Sequence, residues 1–224
     1  MAHVTNLPAA KALVNQGLDG IVHAIRDTRA DVVDAELIAA MKRRNVGYVS
    51  TFTQTYSRFI YETTPAFLTD PFFLRGNDLF RTQAEAVKKP AFQALARKDA
   101  PGFKTSLEVG MGNVKKMADA GILLGMGTDG GGRRSDGNWS GFHDHVELEL
   151  YVKAGLTPMQ TLVAATQGSA RVMAVDRQLG TLEPGKWADM LVLNANPLTD
   201  IRNTRQIESV WIAGHRLARR ANTN

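Results

Sequence analysis

Short apolar runs alternate with amphipathic segments along the first three quarters of the chain, and this alternation limits the possible folds strongly. Three runs predict buried strands: GIVHAI from Gly20, VGYVSTFT from Val46 and ILLGMG from Ile122. Between and around them, apolar residues recur at helical spacing in residues 8–16, 34–45 and 103–120. Because a helix between two strands returns the chain to the same edge of a sheet, the pattern predicts an α/β fold with parallel strands.

Two other regions depart from this alternation. Residues 56–100 are rich in prolines and aromatic side chains, which predicts short helices packed as an excursion or lid. Beyond about residue 175, LGTLEPGKWADMLVLN predicts two strands around a type II turn at Pro184-Gly185. IESVWIAGHRLAR predicts a hairpin that turns at Ala213-Gly214. We therefore predict an α/β part at residues 1–175 and a small β part at residues 176–224.

The composition excludes several classes of site and partner. None of the 224 residues is a cysteine, so disulfides and thiolate metal sites cannot form. The net charge of +5 comes from dispersed basic residues without interleaved aromatic side chains, so nucleic-acid binding is not expected. No apolar run approaches the roughly 18 residues of a membrane span, and MAHVTNLPAA lacks the pattern of a secretory signal. We expect a cytoplasmic protein that acts on a small molecule and binds no membrane.

Three side chains that can bind metals stand at the ends of predicted strands. They are His3 in AHV, His23 after GIV and Asp129 after ILLGMGT. Because parallel strands end at one edge of a sheet, these side chains are expected to lie close together. Imidazole and carboxylate bind zinc, manganese or iron, and an aspartate beside such a metal can accept a proton from water. Glycines 130–132 would allow the backbone to approach a ligand closely.

A plainer interpretation exists for each of these patterns. TDGGG can be only a turn in which Asp129 bonds its own backbone, and His23 can be a core histidine. The pair Arg26-Asp27 can form a local salt bridge or a turn cap instead of contacting substrate. The motif His143-Asp144-His145 leads into a helix, where residues two apart diverge, so both histidines are expected on the surface unless they form a compensating metal pair. The aromatic residues between Tyr56 and Phe80 are expected to be core packing.

Longer segments resemble a known family. They are AHVTNLPAAKALVNQGLDGIVHAIRD, GMGTDGGG, ELELYVKAGLTPMQTLVAAT and GTLEPGKWADMLVLNANPLTDI. They are similar to parts of the metal-dependent amidohydrolases, especially the branch near imidazolonepropionase and prolidase-type enzymes. The resemblance covers nearly the whole chain and implies strands five to eight of a (β/α)8 TIM barrel. The C-terminal β segment would then belong to a composite β-sandwich.

The resemblance also implies a chemistry and assigns roles to residues. In the family, one or two divalent metals activate water, which attacks a C–N or ester carbonyl. His3 and His23 match the metal ligands of strands five and six, and Asp129 matches the strand-eight ligand and general base. Zinc is the expected metal, with manganese or iron as alternatives. His145 matches a position near the rim of the pocket, and Arg26-Asp27 matches an RD pair after the strand-six ligand. His145 and Arg26 are therefore candidate substrate-pocket residues.

Other ligands of the family have no counterpart in this sequence. The family's His-x-His pair on strand one and its Lys or Glu on strand four would precede residue 1. Three outcomes are therefore open: a hydrolase that works with the remaining ligands or through self-association, a catalytically impaired fragment, or a non-enzymatic module. A half barrel would expose strand edges and an apolar face, so a homo-oligomer is expected.

Overall fold

Four short strands lie side by side in a parallel sheet, in the order β1, β2, β3, β4. The computed structural model describes residues 1–75, 84–130 and 137–218. The parallel order confirms the α/β class that the alternation predicts. The strands are β1 (Ala2–His3), β2 (Gly20–Val22), β3 (Gly47–Val49) and β4 (Leu124–Gly125).

The first two helices follow their sequence signals closely. Helix α1 (Leu7–Asn15) begins after Asn6, whose side chain accepts a hydrogen bond from the Ala9 amide at 2.9 Å. Helix α2 (Ala35–Arg44) begins after Asp34, whose carboxylate caps the Leu37 amide at 3.0 Å, as predicted. The chain leaves α2 through Asn45 in the left-handed conformation. Local capping therefore sets the bounds of both helices.

The prediction that VGYVSTFT is one strand is wrong in its second half. Strand β3 stops at Val49, and Phe52–Tyr56 forms helix α3. The cause is Thr51, which has a φ of 49° and so cannot continue an extended strand. The side chain of Glu147 accepts hydrogen bonds from the next two backbone amides, those of Phe52 and Thr53. A distant carboxylate thus overrides the local β propensity.

The excursion after α3 consists of short helical pieces, as predicted. Their aromatic side chains Phe59, Tyr61 and Phe73 are buried, in agreement with a role in core packing, whereas Phe80 lies outside the described residues. Helix α5 then begins earlier than predicted and includes Pro101. The elements are two 3-10 turns (Ile60–Glu62 and Ala66–Thr69), helix α4 (Pro71–Leu74) and helix α5 (Pro90–Asp119).

Helices α6 to α8 close the first part of the chain and pack on β3 and β4. They are α6 (Phe142–Lys153), α7 (Pro158–Val163) and α8 (Ser169–Val172), with a π turn at Ala164–Gly168 between the last two. The π turn presses the backbone of Gly168 against β4: a Cβ built there would lie 2.0 Å from the Leu124 carbonyl oxygen. Only glycine allows this approach.

A second, antiparallel sheet follows. Its strands are β5 (Met190–Leu193), β6 (Ile207–Ile212) and β7 (His215–Arg216). The predicted hairpin turn at Ala213-Gly214 is confirmed, with φ angles of 49° and 80°. The turn at Pro184-Gly185 is confirmed by the Lys186 amide, which donates to the Glu183 carbonyl at 3.2 Å. The prediction of a strand before this turn is wrong. The two sides of the turn are joined by one backbone hydrogen bond, from the Trp187 amide to the Gln178 carbonyl, and do not pair as β-strands.

Side chains of α6 contact the segment between β5 and β6. Glu149 forms an ion pair with Arg205, and His145 bonds Thr204. The division into domains at residues 1–175 and 176–224 therefore stays a prediction. Within the three described ranges, no helix combines the length and apolar character needed to cross a bilayer. The cytoplasmic location also stays a prediction.

Candidate metal and catalytic site at the strand ends

Two histidines meet at the carboxyl ends of the first two strands. His3 closes β1 and His23 follows β2, and the parallel register pairs His3 with Val22. Nδ1 of His3 lies 2.6 Å from Nε2 of His23, with ring centroids 4.6 Å apart. One of these nitrogens donates and the other accepts. The structure therefore brings together the two histidines that the sequence predicts as ligands.

Three residues at neighbouring strand ends adopt left-handed backbone. The φ angles are 76° at His23, 49° at Thr51 and 53° at Asp129. Non-glycine residues rarely adopt this conformation, and a β-branched residue such as threonine does so least readily. Conformations of this kind persist where surrounding contacts impose them, and they cluster at functional sites. The strand ends are therefore built as a strained, defined arrangement.

The His23 ring is fixed on both sides. Its Nδ1 lies 2.7 Å from the Thr51 hydroxyl, while its Nε2 faces His3. Burial lowers the pKa of His23 below its usual value, and the positive charge of Arg26 lowers it further, against an opposing effect of Asp129. The neutral ring is thus favoured near neutral pH. Neutral imidazole is the form that binds metals.

Asp129 lies exposed just beyond β4. The carbonyl oxygen of Thr128 anchors this segment, because it accepts from the Thr53 hydroxyl at 3.1 Å and the Asn138 amide at 2.8 Å. In residues 1–75, 84–130 and 137–218, no group of three His, Cys, Asp or Glu is arranged to hold a metal. The structure thus pairs the two histidines without Asp129, whose role as ligand and base stays a prediction. Glycines 131 and 132 lie outside the described residues.

Arg26 is buried beside the histidine pair. Its guanidinium donates to the Ala24 carbonyl at 2.9 Å and to the Gln54 side chain at 2.8 Å. Burial lowers its pKa. Asp27 accepts from the Thr5 hydroxyl at 2.7 Å, and its negative charge raises the pKa of Arg26 against the effect of burial. A contact of Arg26 with substrate stays a prediction. The guanidinium charge remains directed toward neutral partners.

The segment that follows His23 is irregular but well anchored by Asn113 of α5. The buried Asn113 amide donates to the carbonyls of Ile25 and Asp31, at 2.8 and 2.6 Å. Its side-chain oxygen accepts from the Val33 amide at 2.9 Å. One side chain thus satisfies three backbone groups of this segment, which a buried loop requires.

His143 is not a surface residue, contrary to the sequence prediction. It is fully buried, with its ring stacked on Trp139 at an interplanar angle of 25°. Its Nδ1 accepts from the Trp139 amide at 2.8 Å. Burial lowers the pKa of His143 to about 3. The aromatic excursion covers this helix end, which the local sequence pattern does not reveal.

His145 points to different partners. Its Nδ1 lies 2.9 Å from the Thr204 hydroxyl, and its ring meets Phe72 edge-on at 5.0 Å. Burial, and then the charge of Arg205, lower its pKa to about 4. Since the rings of His143 and His145 diverge, they do not form the compensating metal pair. A role of His145 in the substrate pocket stays a prediction.

Sequence reasoning missed Glu147, the most buried acid near the strand ends. Its carboxylate accepts from the Phe52 and Thr53 amides, each at 2.7 Å, and from the Ser50 hydroxyl at 3.2 Å. Burial raises its pKa to about 7. One signal of its burial is present in the sequence. Glu147 lies four residues before Tyr151, a spacing that places both side chains on the same, buried face of α6.

A groove of about 350 Å³ lies away from these residues. It runs beside β4, between the end of α5 and helix α7, and is lined by apolar residues such as Leu124, Met159 and Val163. None of its lining residues is a histidine or an acid. The candidate site is therefore placed by side-chain chemistry at the strand ends, not by this groove.

Matches to curated proteins include an imidazolonepropionase and a deaminase, each over part of its length. Imidazolonepropionase from Deinococcus deserti is 31% identical over 142 residues, which cover 59% of this chain and 34% of that protein. The 5-methylthioadenosine/S-adenosylhomocysteine deaminase from Desulforudis audaxviator is 34% identical over 100 residues, covering 43% of this chain and 23% of that protein. The chain thus spans about a third or less of these relatives.

Solved structures share the fold over almost the whole chain. A candidate prolidase from Bifidobacterium longum aligns with a TM-score of 0.67 and 27% identity, covering 97% of this chain and 46% of that one. Molinate hydrolase aligns with a TM-score of 0.61 and 20% identity, covering 99% and 45%. Residues 6–217 also match the family described as the amidohydrolase family. Because that match includes nearly all of the sequence, the chain belongs to the amidohydrolase family.

Proposed function

We propose that the chain carries the strand-end part of a metal-dependent hydrolase that cleaves a C–N bond, in an amide or cyclic amide, or an ester bond of a small molecule. The observation that carries this proposal is the pair of facing imidazoles at the ends of adjacent parallel strands, 2.6 Å apart. Parallel α/β folds place their active sites at that edge. The deaminase and imidazolonepropionase relatives support a reaction at a C–N bond.

The donor types present fit a divalent metal. His3 and His23 would supply two ring nitrogens and Asp129 a carboxylate oxygen, a set suited to zinc, with manganese or iron as alternatives. The facing nitrogens are at hydrogen-bond distance, closer than two ligands on one zinc with bonds of about 2.0–2.1 Å, so the rings would have to separate slightly. Such an ion, when bound, polarises a carbonyl and lowers the pKa of water.

The chain's own residues would transfer the proton, hold the His23 ring and orient the substrate. Asp129 would accept the proton of the attacking water and return it to the leaving nitrogen or oxygen. Thr51 would keep the His23 ring in place. Arg26, which is held by neutral partners, would supply positive charge to orient a carbonyl or carboxylate of the substrate. His145 would lie at the rim of the pocket.

We further propose that β1 to β4 are half of an eight-stranded barrel and that β5 to β7 belong to a composite sandwich. This is supported by the solved structures, which cover 97% and 99% of this chain but are themselves covered only to 46% and 45%. An impaired fragment and a non-enzymatic module are the alternatives to an active hydrolase.

Metal titration of the histidine pair tests this proposal. The metal-stripped protein is titrated with zinc and with manganese by calorimetry, beside His23→Ala and His215→Ala. His215 lies exposed on β7 and serves as the matched control. We expect His23→Ala to weaken binding by more than tenfold and His215→Ala to leave it unchanged. If His23→Ala binds metal as well as the parent does, the assignment is wrong.

Hydrolysis is measured on the same preparations. An N-acyl amino acid, a cyclic amide and a simple ester are the first substrates, chosen to sample the proposed bond types. Turnover that follows metal occupancy supports an active hydrolase. Metal binding without turnover of any substrate class supports the impaired fragment.

A further inference from the structure

Glu147 links helix α6 to the turn that follows β3. Its two carboxylate oxygens accept from the Phe52 and Thr53 amides, each at 2.7 Å. These amides flank the left-handed residue Thr51 on its C-terminal side. On the N-terminal side, the Ser50 hydroxyl also donates to Glu147, at 3.2 Å. One buried side chain therefore holds both sides of a strained residue.

The left-handed conformation of Thr51 determines where its hydroxyl meets the His23 ring. With a φ of 49°, Thr51 places its hydroxyl 2.7 Å from Nδ1 of His23. A β-branched residue leaves this backbone conformation unless neighbouring contacts enforce it. Glu147 supplies two of the contacts that enforce it here, at the Phe52 and Thr53 amides. Without them, extended backbone at Thr51 would turn the hydroxyl away from the imidazole.

The same helix face secures the neighbouring strand end. Tyr151, one turn after Glu147, donates to the Gly125 carbonyl at 2.6 Å, and its hydroxyl oxygen lies 2.9 Å from that of Ser50. Thr53, which Glu147 holds, donates to the Thr128 carbonyl at 3.1 Å. The contacts thus run from α6 to the residue before Asp129 as well as to His23.

We propose that Glu147 is a positioning residue for His23, acting through Thr51: its carboxylate fixes the left-handed turn, and the Thr51 hydroxyl then fixes the orientation of the ring. The consequence for metal binding rests on the proposed function. The effect on the ring itself does not rest on it, because the contacts from Glu147 through the Thr51 turn to His23 involve only this protein's own residues.

A burial argument favours this role over simple packing. A carboxylate buried without partners is costly, so an apolar residue of similar size would serve packing alone equally well. Here both oxygens accept hydrogen bonds from backbone amides of one turn. The arrangement constrains that turn specifically.

The test is the imidazole nitrogen spectrum of His23 in metal-free protein labelled with ¹⁵N at histidine. The variants are Glu147→Gln, Thr51→Val and their combination. Gln keeps the shape but presents an NH₂ group to one of the two amides, which then has no acceptor. We expect the Nδ1 signal of His23 to move from its parental position in both single variants, because Nδ1 loses its hydroxyl partner. The double variant should add no further change, because both act on one contact.

Glu149→Gln is the matched control. Glu149 lies on the same helix, pairs with Arg205 and does not touch the Thr51 turn. Its spectrum should equal that of the parent. An unchanged His23 spectrum in Glu147→Gln, an equal change in Glu149→Gln, or additive changes in the double variant would each overturn the proposal.

Thr51→Val keeps the proposal testable if Glu147→Gln does not fold. If the folded Thr51→Val protein shows a parental His23 spectrum, the proposed contact does not orient the ring and the proposal fails. Where zinc binds the parent, Glu147→Gln should weaken it by about 10–100-fold, the range typical of groups that orient ligands. A parent that binds no metal but shows the His23 response would reject the proposed function and leave this inference standing.

Discussion

Single residues with unusual backbone place the polar groups of the candidate site. His23, Thr51 and Asp129 each follow a strand and each adopt positive φ. The left-handed turn redirects each side chain at the strand end, where an extended residue would project to one face of the sheet. The chemistry proposed here therefore depends on backbone conformations that the surrounding contacts must maintain.

Replacing Asp129 by asparagine tests its proposed role as a base. The amide keeps the shape but cannot accept the proton, and loss of a general base typically lowers rates by about 10²–10⁴-fold. We expect a loss of at least that size in any hydrolysis measured, with an unchanged circular dichroism spectrum. Asp119→Asn, at an exposed helix end paired with Lys115, should keep full activity. Activity that survives both Asp129→Asn and a chelator would refute the mechanism.

The buried His143 should make the fold sensitive to acid. Its pKa is lowered to about 3 in the folded protein, from an ordinary value of 6.5. Between these values the unfolded chain binds the proton and the folded chain does not, so the contribution of His143 to stability falls as the pH is lowered from 6.5 toward 3. The expected slope is up to about 1.4 kcal/mol per pH unit.

Urea unfolding at several pH values measures this slope. His143→Gln should flatten the profile between pH 6.5 and pH 3, because glutamine does not titrate. His215→Gln, on the exposed hairpin, is the control and should keep the parental slope. Equal slopes for the parent and His143→Gln would contradict the assignment.

At this scale, the sequence reveals the ligand types but not their neighbours. His3 and His23 could be predicted because each ends an apolar run, and parallel strands bring such ends together. Glu147 and the burial of His143 could not, since both depend on contacts between segments far apart in sequence. Periodicity reports the face of a helix and not the partner that covers it.

Among the elements, the π turn between α7 and α8 determines how the last helices meet the sheet. The turn brings the Gly168 backbone against the carbonyl of Leu124 in β4. A single wide turn leaves the apolar pattern of the sequence almost unchanged, so helical spacing does not reveal it. Likewise, α3 replaces a predicted strand end because of Thr51. Caps and hairpin turns were predictable, since their signals are local.

Substituting Gly168 by alanine tests the close contact. A Cβ there would lie 2.0 Å from the Leu124 oxygen, so helix and strand must separate. We expect a loss of at least about 1–3 kcal/mol in the free energy of unfolding, the range for overpacking. Gly112→Ala in α5 meets nothing within 4 Å and should stabilise by about 0.5–1 kcal/mol. Similar changes in the free energy of unfolding for the two substitutions would refute the close contact between Gly168 and Leu124.

At the scale of the whole molecule, the chain forms one parallel sheet and one antiparallel sheet. Within the described residues, β4 pairs only with β3, and β1 only with β2. The antiparallel sheet carries exposed apolar side chains, including Leu191 and Val192 on β5. Strand edges and apolar patches of this kind mark surfaces that associate.

We therefore predict self-association, which light scattering measures directly. The parent should have a mass above the 24.5 kDa of one chain. Leu191→Lys should shift it toward the monomer by placing a charge on the apolar sheet face. Leu95→Lys, with 59% exposure against 53% for Leu191, should not. A parent that stays monomeric across concentrations would contradict this prediction.

The three hydrogen bonds of Asn113 have a consequence for how this scaffold can diversify. Because one amide closes the loop from Ile25 to Val33, that wall of the site behaves as fixed framework although it contains no helix or strand. Insertions there would leave buried backbone groups without hydrogen-bond partners. Libraries that seek new substrates should therefore keep Asn113 and the loop from Ile25 to Val33 constant.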